Sequence, residues 1–398
     1  MTPTTGKEFP KNFVPERFFV KYRGVIDSDE KLAALLPGLA SAAWLAVDTE
    51  ADSLHAYPEK VCLIQISTTA GDELIDPLAR MSLEPLFAIF NNHELILHAA
   101  DYDLRLLRKH HDFVPAAIFD TMLAARLLGE RQFGLSALVE KFLGVKLDKG
   151  SQKADWAQRP LTERMEVYAR NDTHYLKPIA DKLRQDLAQK GRLSWHHESC
   201  VQLIAECARP PVIDEDAIWR IKGSYGLDRR ALAVLRALWR WRETEATAMC
   251  RPPFFILNHE RLVQIAAAVA AEQPVDPIIP PRMNPRRREG LVAAIRAGVA
   301  VPAADLPAVI RQRFNRPSEK EFRRFRELEK IRDHHAVALG LDPTLIASRS
   351  TLGDLARDWE ANAANLMNWQ RELLLAPPAR TGPAAPPKPI APSAPTVV

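Results

Sequence analysis

Four carboxylates and one phenol are the residues of this sequence best placed to do chemistry. Asp48 and Glu50 follow directly on the apolar run WLAV, which has the length and composition of a buried strand. Because the side chains of a strand alternate between its faces, residues 48 and 50 point to the same face. Two carboxylates that converge there repel each other, so the pair needs a bound cation, or one member must stay protonated.

The other two carboxylates are predicted to lie on helices. Asp103 follows a second strand-like run, LILHAA, and opens a helix. A carboxylate in a first helical turn can simply complement the helix dipole. Asp101, however, is the better candidate for the N-cap, which leaves Asp103 freer to reach the sheet edge. Asp172 and Tyr168 are four residues apart in YARND and share one helix face, although a core tyrosine and a surface aspartate would give the same spacing.

Together these side chains predict metal-dependent cleavage of a phosphodiester. Hard divalent cations such as Mg²⁺ and Mn²⁺ prefer carboxylate oxygens as ligands. Two such ions about 3.5–4 Å apart can stabilise both the attacking and the leaving oxygen of the reaction. A phenol one helical turn from a metal-binding aspartate, as Tyr168 is from Asp172, is well placed to orient the attacking water.

The elements that must position these residues alternate between strand and helix in the first half of the chain, which predicts a mixed α/β sheet flanked by helices. The strand-like segments are Trp44–Thr49, Val61–Ser67, Glu73–Ile75, Glu94–Ala99 and Ala117–Phe119. The helix-like segments are Glu84–Asn91, Tyr102–His110, Thr121–Leu128, Leu135–Phe142 and Thr162–Gln189. Thr162 is a plausible N-cap of the last helix, and Pro178 is expected to kink or interrupt it.

The second half of the chain is predicted to be helical throughout. Strand signals end near residue 208, and two helical blocks, near 210–298 and 318–375, have the character of a diverged repeat. Residues 377–398 are nearly all Ala, Pro, Ser, Thr and Lys, so this tail cannot bury a core and is predicted to be disordered.

Charge and composition point to a polyanion as the partner. Residues 1–200 carry 25 Lys and Arg against 28 Asp and Glu, whereas residues 201–398 carry 29 against 22. An acidic half beside a basic half fits a metal-using domain joined to a nucleic-acid-binding one, although arginine-rich helices can simply have solvated faces. No apolar run approaches the ~20 residues of a membrane span, and the N-terminus lacks the apolar core of a signal peptide. The four cysteines form no CxxC pair, so we expect reduced thiols in the cytoplasm.

The motifs resemble those of a known superfamily. VDTE at 47–50, HAADYDL at 98–104 and YARND at 168–172 are similar to the three exonuclease motifs of the DEDD superfamily, whose fold is ribonuclease H-like. A tyrosine stands four residues before Asp172, and the histidine of the sister branch is replaced by Val167, which identifies the tyrosine subtype. The segment LDKGSQKADWAQRPLTERMEVYARND, with LIQIS, FDT and GLSALV, resembles the bacterial ribonuclease D family.

This resemblance implies roles for individual residues. Asp48, Glu50 and Asp172 would hold one metal ion, and Asp48 with Asp103, directly or through water, would hold the second. Tyr168 would position the nucleophilic water, and Thr49 would touch the terminal nucleotide through its backbone or side chain. Asp120, in FDT, is instead expected to cap the helix that starts at Thr121.

The second half resembles the HRDC module found in ribonuclease D and RecQ helicases. The best markers are WRWRE and PPFFIL in the segment that begins at Leu227. The later block is a poorer match, with Arg332-Asp333 where Trp-Arg would be expected. The resemblance therefore implies an exonuclease domain over residues 1–205, an HRDC domain over 210–298, a degenerate second HRDC-like domain over 318–375 and the tail at 377–398.

The function implied is that of a metal-dependent 3′→5′ exoribonuclease. It would act as a monomer, trim the single-stranded 3′ ends of tRNA precursors and other structured RNAs, and release nucleoside 5′-monophosphates. A DNA exonuclease of the proofreading or Werner type shares the four carboxylates and is the alternative. A non-enzymatic RNA-binding scaffold is the third hypothesis, against which stands the presence of all four acids and Tyr168.

Overall fold

The computed structural model describes residues 24–148, 150–210, 214–310 and 317–376. The tail predicted at 377–398 lies outside these residues. The chain divides into two compact units, Met1–Asn315 and Arg316–Val398, which are described separately below. Within the described residues, no helix combines the length and the apolar character needed to cross a bilayer.

The first unit is built on a five-stranded mixed sheet, as predicted. Its strands are β1 (Leu45–Ala51), β2 (Val61–Thr68), β3 (Gly71–Ile75), β4 (Glu94–Leu97) and β5 (Ala117–Asp120). They lie in the order β3-β2-β1-β4-β5. β1 pairs antiparallel with β2, and β2 with β3, whereas β1–β4 and β4–β5 are parallel.

In the part of the unit that the structure describes, eight helices flank the sheet. They are α1 (Asp29–Ala40), α2 (Glu84–Phe90), α3 (Asp101–His111), α4 (Thr121–Leu128), α5 (Leu135–Leu143), α6 (Glu163–His174), α7 (Leu176–Gln189) and α8 (Leu193–Ala208). β2 is buried along nearly its whole length because both of its faces are covered. Ile64 and Ile66 belong to the core that includes residues of α1, α2 and α3, while Leu63 packs with Met165 and Ala169 of α6.

The helix predicted over residues 162–189 is two helices. Thr162 is the N-cap as expected, and its side chain accepts a hydrogen bond from the backbone N–H of Met165. The chain breaks at Tyr175, three residues before the expected Pro178. Pro178 lies in the first turn of α7, where backbone N–H groups have no intrahelical acceptor and a missing donor costs nothing.

Asp120 is the hydrogen-bonding centre at the carboxyl ends of β4 and β5. As predicted it caps α4, accepting from the backbone N–H groups of Met122 at 2.8 Å and Leu123 at 2.9 Å. It also accepts from Ala99 at 3.3 Å and Ala100 at 2.8 Å. The prediction of Asp101 as the N-cap of α3 is wrong: α3 begins at Asp101, its N-cap is Ala100, and Asp101 pairs with Arg105 at 2.9 Å. Helix α3 starts one residue earlier than predicted, so Asp101 occupies its first turn and its carboxylate pairs with Arg105 one turn later.

Asp120→Ala is expected to lower the free energy of unfolding by about 3 kcal/mol, because one helix cap is lost and buried N–H groups are left without an acceptor. Urea denaturation of the purified chain measures this. Asp101→Ala is the matched control, and it should change stability by about 0.5 kcal/mol or less because its ion pair is exposed. Equal losses for the two variants would contradict the role given to Asp120.

The first unit ends in a helical region with its own core. Its helices are α9 (Arg229–Ala248), α10 (Pro253–Ile256), α11 (His259–Ala270) and α12 (Pro285–Val299). Trp219, Leu235 and Leu262 are among the side chains of this core. The buried Arg242 of α9 pairs with Glu243 at 2.8 Å and donates to the carbonyl of Leu257 at 3.5 Å.

The second unit begins on a well-capped long helix. Its helices are α13 (Glu319–Leu339), α14 (Pro343–Ile346), α15 (Arg349–Arg357), α16 (Trp359–Asn362) and α17 (Asn368–Leu375). Ser318 and Glu321 form a capping box at the start of α13. Arg332 pairs with Asp333 at 2.7 Å and donates to the carbonyl of Ala347 at 3.3 Å.

The two helical regions therefore repeat one local arrangement. In each, an arginine of the long helix pairs with the next residue and donates to a carbonyl 15 residues later. In each, a four-residue helix beginning at proline precedes that carbonyl. By these contacts Arg332 corresponds to Arg242, and Asp333 corresponds to Glu243. The second region lacks the tryptophan that precedes this arginine in the first region, because Ile331 occupies the position of Trp241.

Candidate active site

The open edge of β1 brings three of the four predicted carboxylates to one place. β1 pairs with β2 through Ala46–Ala51 but with β4 only at Leu45 and Ala46, because β4 ends at Leu97. The first turn of α3 lies against the uncovered edge. There Asp103 accepts hydrogen bonds from the backbone N–H of Thr49 at 3.1 Å and from its hydroxyl at 2.5 Å. The structure thus places Asp103 beside the strand that carries Asp48 and Glu50.

Helix α6 brings the remaining carboxylate over the sheet. It packs on β1, β2 and β3, and the hydroxyl of Thr173 lies 2.7 Å from that of Ser67 on β2. Asp172 of α6 then meets Asp48 and Glu50. One carboxylate oxygen from each of the three lies within 4.8 Å of the others. Asp103 is outside this group of three, but its charge acts on both Asp48 and Glu50.

Burial and mutual repulsion disfavour the charged forms of all four acids. Burial, followed by the charges of the neighbouring carboxylates, raises the pKa of Asp48 well above its usual range. The same two causes raise the pKa of Glu50 to about 9. Burial raises the pKa values of Asp103 and Asp172 to about 7. Within the described ranges, no Lys, Arg or His forms an ion pair with any of the four, so relief of this repulsion requires protons or a bound cation.

The hydroxyl of Tyr168 lies at the same cluster. It forms a hydrogen bond with Asp172, one that lowers the pKa of that carboxyl against the larger effect of burial. Burial and the nearby acids raise the pKa of Tyr168 far above its ordinary value. The phenol therefore keeps its proton at neutral pH and can act as a hydrogen-bond donor.

The ring of Tyr168 packs against the buried Trp156, a residue for which the sequence patterns predict no role. The ring of Trp156 is 5.9 Å from that of Tyr168, at an interplanar angle of 41°. Its loop is fastened to the sheet by Arg159, which donates to Asp76 at 2.5 and 2.7 Å and to the carbonyl of Cys62 at 2.7 Å. The one indication in the sequence that Trp156 has a role at the site is that DWAQRP belongs to the segment that resembles ribonuclease D.

Thr49 faces Asp103 in this structure. Both its N–H and its hydroxyl are hydrogen-bonded to one oxygen of that carboxylate. Its contact with the terminal nucleotide stays a prediction. Because the N–H and the hydroxyl both bond to Asp103, that contact would require another atom of Thr49 or a rotation of its hydroxyl.

The donor set fits a hard divalent cation. Among the described residues, the group that could hold a metal consists of the carboxylates of Asp48, Glu50 and Asp172, without a cysteine or a histidine. A neutral phenol lies beside them. Oxygen-only sets of this kind suit Mg²⁺ and Mn²⁺.

Comparisons with known proteins agree with this chemistry. A 3′-5′ exonuclease family model matches residues 24–188, and an HRDC domain model matches residues 231–272. The chain is 33% identical over 346 residues to ribonuclease D of Jannaschia sp. (strain CCS1), covering 83% of this chain and 88% of that protein.

Solved structures show the same relationship. The Escherichia coli RNase D, described as an exoribonuclease involved in structured RNA processing, matches with a TM-score of 0.68 at 25% identity, over 89% of this chain and 98% of that one. The catalytic core of RRP6 from Trypanosoma brucei matches with a TM-score of 0.59 at 27% identity, over 69% of this chain and 78% of that one. The acidic cluster and these relatives together support the use of a divalent metal. The chain belongs to the ribonuclease D family and is a 3′–5′ exoribonuclease.

Proposed function

We propose that this enzyme trims the 3′ ends of tRNA precursors and other structured RNAs one nucleotide at a time, using two Mg²⁺ or Mn²⁺ ions. The observation that carries the proposal is that Asp48, Glu50 and Asp172 each place one carboxylate oxygen within 4.8 Å of the others, while Asp103 is hydrogen-bonded to Thr49, the residue between Asp48 and Glu50. In this proposal Asp48, Glu50 and Asp172 hold one ion. Asp48 and Asp103 hold the other.

The protein side chains have distinct tasks in the proposed reaction. Bound divalent ions would supply Lewis acidity at the attacking and leaving oxygens. Tyr168 keeps its proton and directs its O–H toward the side of Asp172, where it can hold the attacking water in line with the terminal phosphodiester. Trp156 keeps the phenol in that orientation. The attack releases a nucleoside 5′-monophosphate and leaves a new 3′-hydroxyl on the shortened RNA.

We also propose that both helical regions are HRDC-like and that they bind RNA through phosphate contacts. The repeated contact pattern of Arg242 and Arg332 supports a duplicated module. Several arginines of the basic second half are paired within their own unit, including Arg286 with Glu245 and Arg326 with Glu329. The remaining positive excess gives affinity without sequence readout. We propose that the chain acts as a monomer in the cytoplasm.

A comparison of matched RNA and DNA substrates tests the proposal. Each carries a 5′ label, a stem and an identical 3′ overhang. We expect a ladder of RNA products shortened one nucleotide at a time, which stops near the stem, because the enzyme is proposed to act on single-stranded 3′ ends. DNA should be degraded more slowly. Faster degradation of the DNA overhang would favour the proofreading or Werner type of exonuclease instead.

A further inference from the structure

One buried polar side chain of the sheet is not among the proposed metal ligands. Gln65 lies in the middle of β2 and is fully buried. Its register partners are Asp48 on β1 and Leu74 on β3. Residues directly opposite each other in a sheet point to the same face, with Cβ atoms about 4.5–5.5 Å apart. The amide of Gln65 therefore lies on the face that carries the carboxylate of Asp48.

The amide of Gln65 is also unsatisfied. Among the described residues, neither its Oε1 nor its Nε2 has a hydrogen-bond partner, and both atoms are buried. A buried amide without partners costs free energy that an apolar side chain of the same size would avoid. We therefore expect that the amide of Gln65 forms hydrogen bonds in another state of the protein.

The neighbours of Gln65 within the sheet leave few possible partners. On its own strand, Leu63 is apolar, and the hydroxyl of Ser67 already lies 2.5 Å from Asp72 and 2.7 Å from Thr173. Leu74 offers nothing polar from β3. The polar group opposite Gln65 in the sheet is the carboxylate of Asp48.

We propose that Gln65 is a positioning residue, whose Nε2–H donates to the carboxylate of Asp48 when a metal ion holds that group in its charged form. The inference rests on the proposed metal site. A donated hydrogen bond favours the ionised carboxylate and fixes its orientation. An amide does this without adding a positive charge, so it does not compete with the cation as Lys or Arg would.

Gln65→Met tests the inference, because it keeps the volume and removes both polar atoms. The affinity for Mn²⁺, measured with the full chain by the electron paramagnetic resonance signal of free Mn²⁺, is expected to fall by about 10- to 100-fold. At an Mn²⁺ concentration that saturates the wild type, kcat should fall while KM for RNA stays within about twofold. The Tm of the metal-free variant should equal or exceed that of the wild type.

Leu74→Met is the matched control. It changes the other register partner of Gln65 by a volume-conserving substitution, and it should leave Mn²⁺ affinity unchanged. If Gln65→Met does not fold, Gln65→Leu is measured in its place, and the same loss of Mn²⁺ affinity is expected.

Two outcomes separate this inference from the site on which it rests. Wild-type Mn²⁺ affinity in a folded Gln65 variant, beside an Asp48→Asn variant that loses binding, would overturn only the role of Gln65. Wild-type affinity in Asp48→Asn would overturn the proposed metal site itself.

Discussion

Asp48→Asn is expected to slow removal of the 3′ nucleotide by about 1,000-fold or more, and at the same time to stabilise the metal-free protein. Asp48 is the residue proposed to contact both ions, and metal ions contribute several kcal/mol of charge stabilisation in such reactions, of which about 4 kcal/mol corresponds to 1,000-fold. The gain in stability follows because the change removes a buried acid that repels Glu50, Asp103 and Asp172. Rates of RNA shortening in Mg²⁺ and the Tm in EDTA measure the two effects.

The same repulsion gives the stability of the metal-free protein a defined pH dependence. Folding raises the pKa values of Asp103 and Asp172 to about 7 and of Glu50 to about 9, from ordinary values near 4. Between about pH 4 and pH 9 the folded state therefore holds more protons than the unfolded state, and the free energy of unfolding falls as pH rises. Mg²⁺ should reduce this fall, because it binds the charged carboxylates of the folded state.

The pH dependence and the Asp48→Asn variant can be measured together. Urea denaturation in EDTA from pH 5 to pH 9 should show a smaller decline for Asp48→Asn than for the wild type. A lower stability of Asp48→Asn in EDTA at pH 8, or a decline in the wild type that Mg²⁺ leaves unchanged, would contradict the electrostatic description of the cluster.

Tyr168→Phe is expected to lower kcat by about 100- to 1,000-fold with little change in KM for RNA. The substitution removes only the hydroxyl, which is held protonated beside Asp172 and is proposed to orient the attacking water. Positioned groups that act on the attacking water contribute on this scale, and an interaction made only in the transition state affects kcat rather than binding. Single-turnover shortening of a labelled RNA, with RNA affinity measured in Ca²⁺, separates the two quantities.

Tyr225→Phe is the control for this substitution. Tyr225 is 75% exposed in the helical region of the first unit, and loss of its hydroxyl should leave kcat unchanged. Equal losses of kcat and of RNA affinity in Tyr168→Phe would show that the phenol contributes to binding and does not position water.

Local patterns in the sequence were sufficient to predict the elements that carry the site. The alternation of a strand put Asp48 and Glu50 on one face, and helical spacing put Tyr168 one turn from Asp172. The N-cap prediction succeeded at Thr162, where the capping group is local. It failed at Asp101, because α3 starts one residue earlier than predicted and the carboxylate of Asp101 pairs with Arg105 in the next turn.

What the sequence could not predict depends on register and long-range packing. Gln65 is a lone polar residue in the run LIQIS, and only the pairing of β1 with β2 places it opposite Asp48. The support of Tyr168 by Trp156 depends on an arginine that bonds to β2 and to a residue just after β3. The correspondence of Arg332 with Arg242 could not be predicted from the sequence, because the second helical region lacks a tryptophan before this arginine and the shared contacts appear only in three dimensions.

The most direct test of the two-ion site is to locate metal ions by anomalous scattering in crystals of the full chain grown with Mn²⁺ and a nucleoside 5′-monophosphate. We expect one peak among the carboxylate oxygens of Asp48, Glu50 and Asp172, and a second between Asp48 and Asp103. Manganese bound elsewhere in the chain, with the four carboxylates bare, would show that these residues do not hold the catalytic metal.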